Sequence, residues 1–138
     1  MANDKDFFVG QKAFIEKDGQ LLVLFNEESK LDLPGGKIQE GEDDLVASLR
    51  REVKEETNLD IEIGEPFTTW YYDFGPQYRH VGKRVFIVGY KCKYVSGKLK
   101  LSNEHTDYRW VDKDTYTSLD NNRKCFLAIK KIFQNKTD

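Results

Sequence analysis

Cysteine is scarce in this chain. Cys92 and Cys125 are the only two among 138 residues, with no CxxC pair and no metal-ligand spacing. That speaks against a disulfide framework or a cysteine-built zinc centre, and fits reduced thiols in a cytoplasmic protein. Long apolar runs are also missing. No stretch approaches the roughly 20 apolar residues of a membrane span. The opening Met1-Ala2-Asn3-Asp4-Lys5-Asp6 has no apolar signal core. Nor is there a surplus of one charge: 22 basic and 24 acidic residues leave a formal charge of −2. Bulk charge therefore gives no reason to expect nucleic-acid or membrane binding. Repeats, linkers and low-complexity tracts are absent, so the length predicts one domain over residues 1–138.

What is present reads as alternating strands and helices. Phe8 to Glu16 predicts a strand, Asp18-Gly19 a hairpin turn, and Leu21 to Phe25 a buried strand. Asn26 to Lys30 reads as polar loop, and Leu33-Pro34-Gly35-Gly36 as a sharp bend. A helix is expected from about Asp44 to Thr57, with Asp43 or Asp44 as its cap and Asn58 as its left-handed end. Pro66 should close the next segment. Strands follow at 67–74 and 83–95, joined by Gly75-Pro76-Gln77. A turn at 95–98 and a short strand over Tyr108 to Val111 come next. Phe126, Ile129 and Phe133 recur at helical spacing, which predicts an amphipathic helix packed on a sheet.

The chemistry is concentrated in the first helix. Glu52, Glu55 and Glu56 stand at i, i+3 and i+4 and so project from one face. Leu45, Leu49 and Val53 form an apolar stripe, and the glutamates lie on or beside it rather than opposite. A solvated acidic patch is the plain alternative. The functional reading is a partly buried carboxylate cluster that takes hard cations. Mg²⁺ prefers oxygen ligands and shares its shell with phosphates and water. A Pro-Gly-Gly bend beside such a helix can offer carbonyls to a metal and amides to phosphate oxygens.

Gly36, Glu42, Arg51, Glu52, Val53, Glu55, Glu56 and Leu59 supply the fixed residues of the pattern GX5EX7REUXEEXGU, with U a bulky apolar residue. In this the chain resembles the Nudix hydrolases. The lead-in Asp32-Leu33-Pro34-Gly35-Gly36-Lys37 is similar too, and Glu104-His105 through Arg109-Trp110-Val111 resembles a late element of MutT-like members. The resemblance thus covers essentially the whole chain, and it implies an α/β/α sandwich with a mixed sheet between helices. Two departures stand out. Eight residues rather than seven separate Glu42 from Arg51, and Asn58 replaces a glycine. Taking Arg50 as the family arginine restores the count but puts Arg51 where a glutamate belongs, so that alignment is rejected.

The resemblance implies a Mg²⁺-dependent pyrophosphohydrolase, with Mn²⁺ able to substitute, in which metal-activated water attacks a diphosphate linkage. It places Glu52, Glu55 and Glu56 at the metal, with Glu56 the firmest ligand. A carbonyl of Gly35 or Gly36 joins them, and Glu104, from outside the box, is either a further ligand or a plain loop carboxylate. Glu52 or Glu55 serves as general base, and Arg51 pairs with Glu42 to orient the cluster. The expected partner is a small nucleotide-like molecule: a nucleoside triphosphate first, with ADP-ribose or a dinucleoside polyphosphate as the rival. A non-catalytic nucleotide sensor is a third reading, an isoprenoid-diphosphate isomerase a remoter one, and a homodimer stays open. His80 and His105 are read as surface or capping residues. Arg79, Lys83 and Arg84 either meet phosphates or form a solvated charge run. Trp70, Tyr71, Tyr72 and Tyr78 either stack on a base or pack the sheet.

Overall fold

Leu21, Leu22, Val23 and Leu24 are all fully buried, which a strand achieves only when both faces of its sheet are covered. The computed structural model, which describes residues 3–73 and 84–134, shows how. Strand β1 (Phe8–Lys17) turns at Asp18-Gly19 into β2 (Gln20–Asn26). Both turn residues have positive φ, 51° and 79°, which suits the twist of a tight hairpin. Short strands β3 (Leu31–Asp32) and β4 (Gly35–Lys37) lead to helix α1 (Leu45–Thr57). Then follow β5 (Asp60–Asp73), β6 (Arg84–Ser96), β7 (His105–Val111) and helix α2 (Lys124–Gln134).

The seven strands form one mixed sheet in the order β3-β2-β1-β6-β5, with β4 on β1 and β7 on β2. β1 runs parallel to β6, while the other pairs are antiparallel. Because strand side chains alternate between faces, Phe14, Leu21 and Val23 meet Phe126, Ile129 and Phe133 of α2. Ala13, Ile15, Leu22 and Leu24 meet Leu49 and Val53 of α1 on the other side. Each buried leucine contributes about 1.5–3 kcal/mol. The result is the expected sandwich of helix, sheet and helix.

Helix α1 starts where Asp44 caps it, its carboxylate accepting the Ala47 amide at 3.0 Å. It stops at Asn58, whose φ of 64° is left-handed and whose N–H returns to the Lys54 carbonyl at 2.9 Å. Three expectations need correction. Pro66 does not close a segment: β5 passes through it, with register shifts on both sides. β5 is the last strand of the sheet path, and an edge strand with bulges tolerates a residue without an N–H. Leu45 is 45% exposed, so the buried stripe of α1 begins one turn later than read, at Ser48 and Leu49. The last strand begins at His105 rather than Tyr108, since it pairs along β2 as far as Asn26. Phe74, Gly75-Pro76-Gln77, Tyr78, Arg79, His80 and Lys83 lie outside the described residues. No described helix is long and apolar enough to cross a membrane.

Candidate active site

On α1 the buried stripe runs Leu49, Val53, Glu56. A carboxylate therefore occupies a position where the helix otherwise places leucine or valine, and it is only 3% exposed. Its Oε2 accepts the Gly35 amide at 2.7 Å. That contact depends on β4 lying against β1, with Gly35 opposite Lys12 and Gly36 opposite Gln11. Gly35 has a φ of 144°, and a Cβ there would stand 1.9 Å from the Gln11 carbonyl oxygen. Gly36 faces α1 instead, where a Cβ would meet the Glu52 carboxylate at 2.8 Å. The two glycines thus let the helix carboxylates approach the strand backbone.

A second set of charges surrounds Glu56 from behind. Lys12 Nζ lies 3.1 Å from Asp32 Oδ1 and donates to the Leu33 carbonyl at 3.0 Å. His105 Nε2 stands 3.0 Å from Asp32 Oδ2, and its Nδ1 faces Glu56 Oε1 at 3.8 Å. Burial pulls the Lys12 ammonium down, but Asp32 and Glu56 more than offset that and raise its pKa above the ordinary lysine value. Burial likewise pushes Asp32 up, yet Lys12, His105 and the Leu33 amide hold it well below the carboxylate range. For Glu56 burial wins. Lys12 and the Gly35 amide pull its pKa down, Glu104 and Asp32 push it up, and it stands at about 8. Without a cation, then, Glu56 carries a proton at neutral pH.

In front of the helix, Arg51 gathers three carboxylates. Its guanidinium reaches Glu42 Oε2, Glu52 Oε1 and Glu55 Oε2, each at 3.0 Å. Glu42 is fixed from its other side by the Gln39 amide at 2.8 Å. The extra residue between Glu42 and Arg51 leaves this pair intact. Arg50 makes none of these contacts, which supports the choice of Arg51.

The structure divides the sequence-predicted residues into two groups. Glu52 and Glu55 are held by Arg51, with side chains 17% and 59% exposed. Glu56 and Glu104 come together with His105, their ligand atoms lying within 4.8 Å of one another. His105 is therefore a correction: it is a buried neighbour of Glu56, neither a surface nor a capping residue. Lys12 and Asp32 were not read as site residues at all. Nothing local marks Lys12, and the only signal for Asp32 was its place in the Asp32-Leu33-Pro34-Gly35-Gly36 lead-in.

Among the aromatic candidates, Trp70 packs edge-on against Phe14 in the core, with ring centroids 6.2 Å apart. Tyr71 is 40% exposed and meets Phe7 edge-on. Arg84 pairs with Asp73 at 3.4 Å. Burial pushes the thiols of Cys92 and Cys125 up, to about 12 and about 11, which leaves both unreactive.

Comparison with known proteins agrees with the fold. A MutT protein from Methanosarcina mazei Go1 is 26% identical, with 99% of each chain covered and a TM-score of 0.78. An ADP-ribose pyrophosphatase from Streptococcus suis 89-1591 is 18% identical over 95% of this chain and 92% of its own, TM-score 0.70. A C. elegans Ap4A hydrolase is 20% identical over 93% and 98%, TM-score 0.70. No curated protein matches the chain in sequence. Residues 9–128 match the family model of the NUDIX domain. The chain belongs to that family and is a hydrolase of pyrophosphate bonds.

Proposed function

We propose that this chain is a Mg²⁺-dependent pyrophosphohydrolase of MutT-like type. It acts in the cytoplasm as one unit over residues 1–138, on a nucleoside triphosphate or a related nucleoside diphosphate derivative. One observation carries the reading: Glu56 is buried against the Gly35 amide, and its carboxylate groups with Glu104 and His105, one ligand atom of each lying within 4.8 Å of the others. A carboxylate in an apolar stripe is costly unless something offsets its charge. A divalent cation does so, and Glu56 and Glu104 would hold it together with a carbonyl of Gly35 or Gly36. When bound, such an ion neutralises phosphate charge and makes its water acidic enough to attack phosphorus.

The chain's own residues do the rest. The Gly35 amide orients Glu56, and Arg51 keeps Glu52 and Glu55 at the edge of the site, where either can leave the guanidinium to take a proton from water. Glu52 lies against Gly36 and so is the better placed against the strand backbone. Gly36→Ala tests this placement. The Glu52 carboxylate is the far end of a flexible side chain, so the variant should fold with near-normal stability. Displacing it should lower kcat by about ten- to a hundredfold, as read by steady-state assay beside a thermal melt. An unchanged kcat would remove Glu52 from the reaction.

The substrate is to be found with a panel of nucleoside triphosphates, oxidised nucleotides, ADP-ribose, dinucleoside polyphosphates and CoA, with Mg²⁺ and with chelator, the products being separated by chromatography. Chelator-sensitive cleavage of a triphosphate is the expected result. Preference for ADP-ribose or a dinucleoside polyphosphate would move the chain to the rival substrate class. Tight metal-independent binding of one compound with no turnover of any would make it a sensor instead.

A further inference from the structure

The two nitrogens of His105 have unequal surroundings. Nε2 meets Asp32 Oδ2 at 3.0 Å, and Asp32 also accepts the Lys12 ammonium. Asp32 is therefore an ionised acceptor, and the ring hydrogen sits on Nε2. In the neutral ring that tautomer leaves the lone pair on Nδ1. This nitrogen is shut off from solvent and has no hydrogen-bond partner among the described residues, on a side chain only 3% exposed. Glu56 Oε1, at 3.8 Å, is too far for a hydrogen bond. A buried nitrogen with a bare lone pair calls for an occupant on its open side. Glu104, which is exposed, joins the same group: Glu56, Glu104 and His105 each bring one ligand atom to within 4.8 Å of the others. Donor atoms about 2.0–2.2 Å from one ion stand about 3–4.4 Å apart. A small inward adjustment brings all three onto one cation.

We propose that His105 Nδ1 is a nitrogen ligand of the cation held by Glu56 and Glu104, and that this position binds Mn²⁺ more tightly than Mg²⁺. The inference rests on the hydrolase reading above and adds a residue and a metal preference to it. Mg²⁺ takes oxygen ligands and gives up water reluctantly, whereas imidazole favours transition ions. Asp32 then has the task that carboxylates perform behind metal-bound histidines: it fixes the tautomer and aims the ring.

The test uses the full chain loaded with Mn²⁺ and pulsed electron spin-echo spectroscopy, which detects nitrogen bonded to the ion. The wild type should show ¹⁴N modulation, and so should His80→Ala, which lacks the only other histidine. His105→Gln should lose it, since glutamine can still reach Asp32 but puts no nitrogen at the Nδ1 position. Calorimetry on the same variant should show Mn²⁺ binding weakened by about tenfold or more and Mg²⁺ binding weakened less. Wild-type Mn²⁺ bound without nitrogen modulation overturns the inference, does not depend on any variant folding, and leaves the hydrolase reading in place. Modulation that disappears in His80→Ala but persists in His105→Gln overturns it as well. A wild type that binds neither ion overturns both readings together.

Discussion

Glu56→Gln should lower kcat/KM by about a thousandfold, measured on whichever substrate the panel identifies, while the protein stays folded. Glutamine keeps the shape and can still accept the Gly35 amide, so the loss isolates the charge. The same variant has an opposite effect on the metal-free fold. The folded pKa of Glu56 is about 8, against an ordinary 4.5. Across that interval the folded state holds the extra proton, so stability falls as pH rises from about 4.5 through about 8. Asp32 works in the other direction and lower down. Its contribution is present above its ordinary value of 3.8 and disappears only as pH falls toward its depressed folded value. Between pH 5 and 8 Asp32 is therefore constant and Glu56 supplies the slope, roughly a few kcal/mol in all. Chelated wild type should lose that stability in urea titrations run at successive pH values, and Glu56→Gln should lose markedly less over the same range. Full activity in the variant, or a flat wild-type profile, would mean that the buried carboxylate is neither used nor protonated as described.

Gly35→Ala should be far more damaging to the fold than Gly36→Ala, although the two glycines are adjacent. At Gly35 the new methyl meets backbone, the Gln11 carbonyl oxygen at 1.9 Å and Lys12 Cα at 2.9 Å, and no rotamer relieves it. The φ of 144° adds strain for any residue with a Cβ. Either β4 leaves β1, or the chain does not fold at ordinary temperature. A loss of more than about 4 kcal/mol is expected, measured by urea unfolding. Because a detached β4 also withdraws the amide from Glu56, activity should vanish with stability. A cost below about 1 kcal/mol would show that the space between these strands opens freely.

How much of this could be read before the structure depended on how far apart the interacting residues lie in the chain. The caps at Asp44 and Asn58, the Asp18-Gly19 hairpin and the apolar face of α2 are local matters of backbone preference and spacing, and all were legible. So was the pairing of Arg51 with Glu42, since one helix and its entry loop carry both. The setting of Glu56 was only partly legible: its spacing from Leu49 and Val53 marks it as facing inward. The group behind it was not. Lys12, Asp32 and His105 sit on three different strands, and their meeting depends on the registers of β1, β2, β3 and β7. Nothing near His105 in sequence distinguishes a ring aimed at Glu56 from one that caps a turn. Pro66 misled for a related reason, since proline excludes itself from a central strand but not from the edge strand that β5 forms.

The parallel pairing of β1 with β6 bears on the order in which the molecule can be made. Phe8 to Glu16 lie against Val85 to Lys93, so the second strand of that pair emerges only after α1 and β5. Closing so large a loop is slow, because its entropy must be lost before any of its contacts form. The β1–β2 hairpin and α1 are local and can form early, but β1 has no neighbour on its β6 side until most of the chain exists. His105 arrives later still. A nascent or refolding chain therefore passes through a stage with helix and hairpin in place and the carboxylate pocket still open, and hydrolysis should be the last property it acquires.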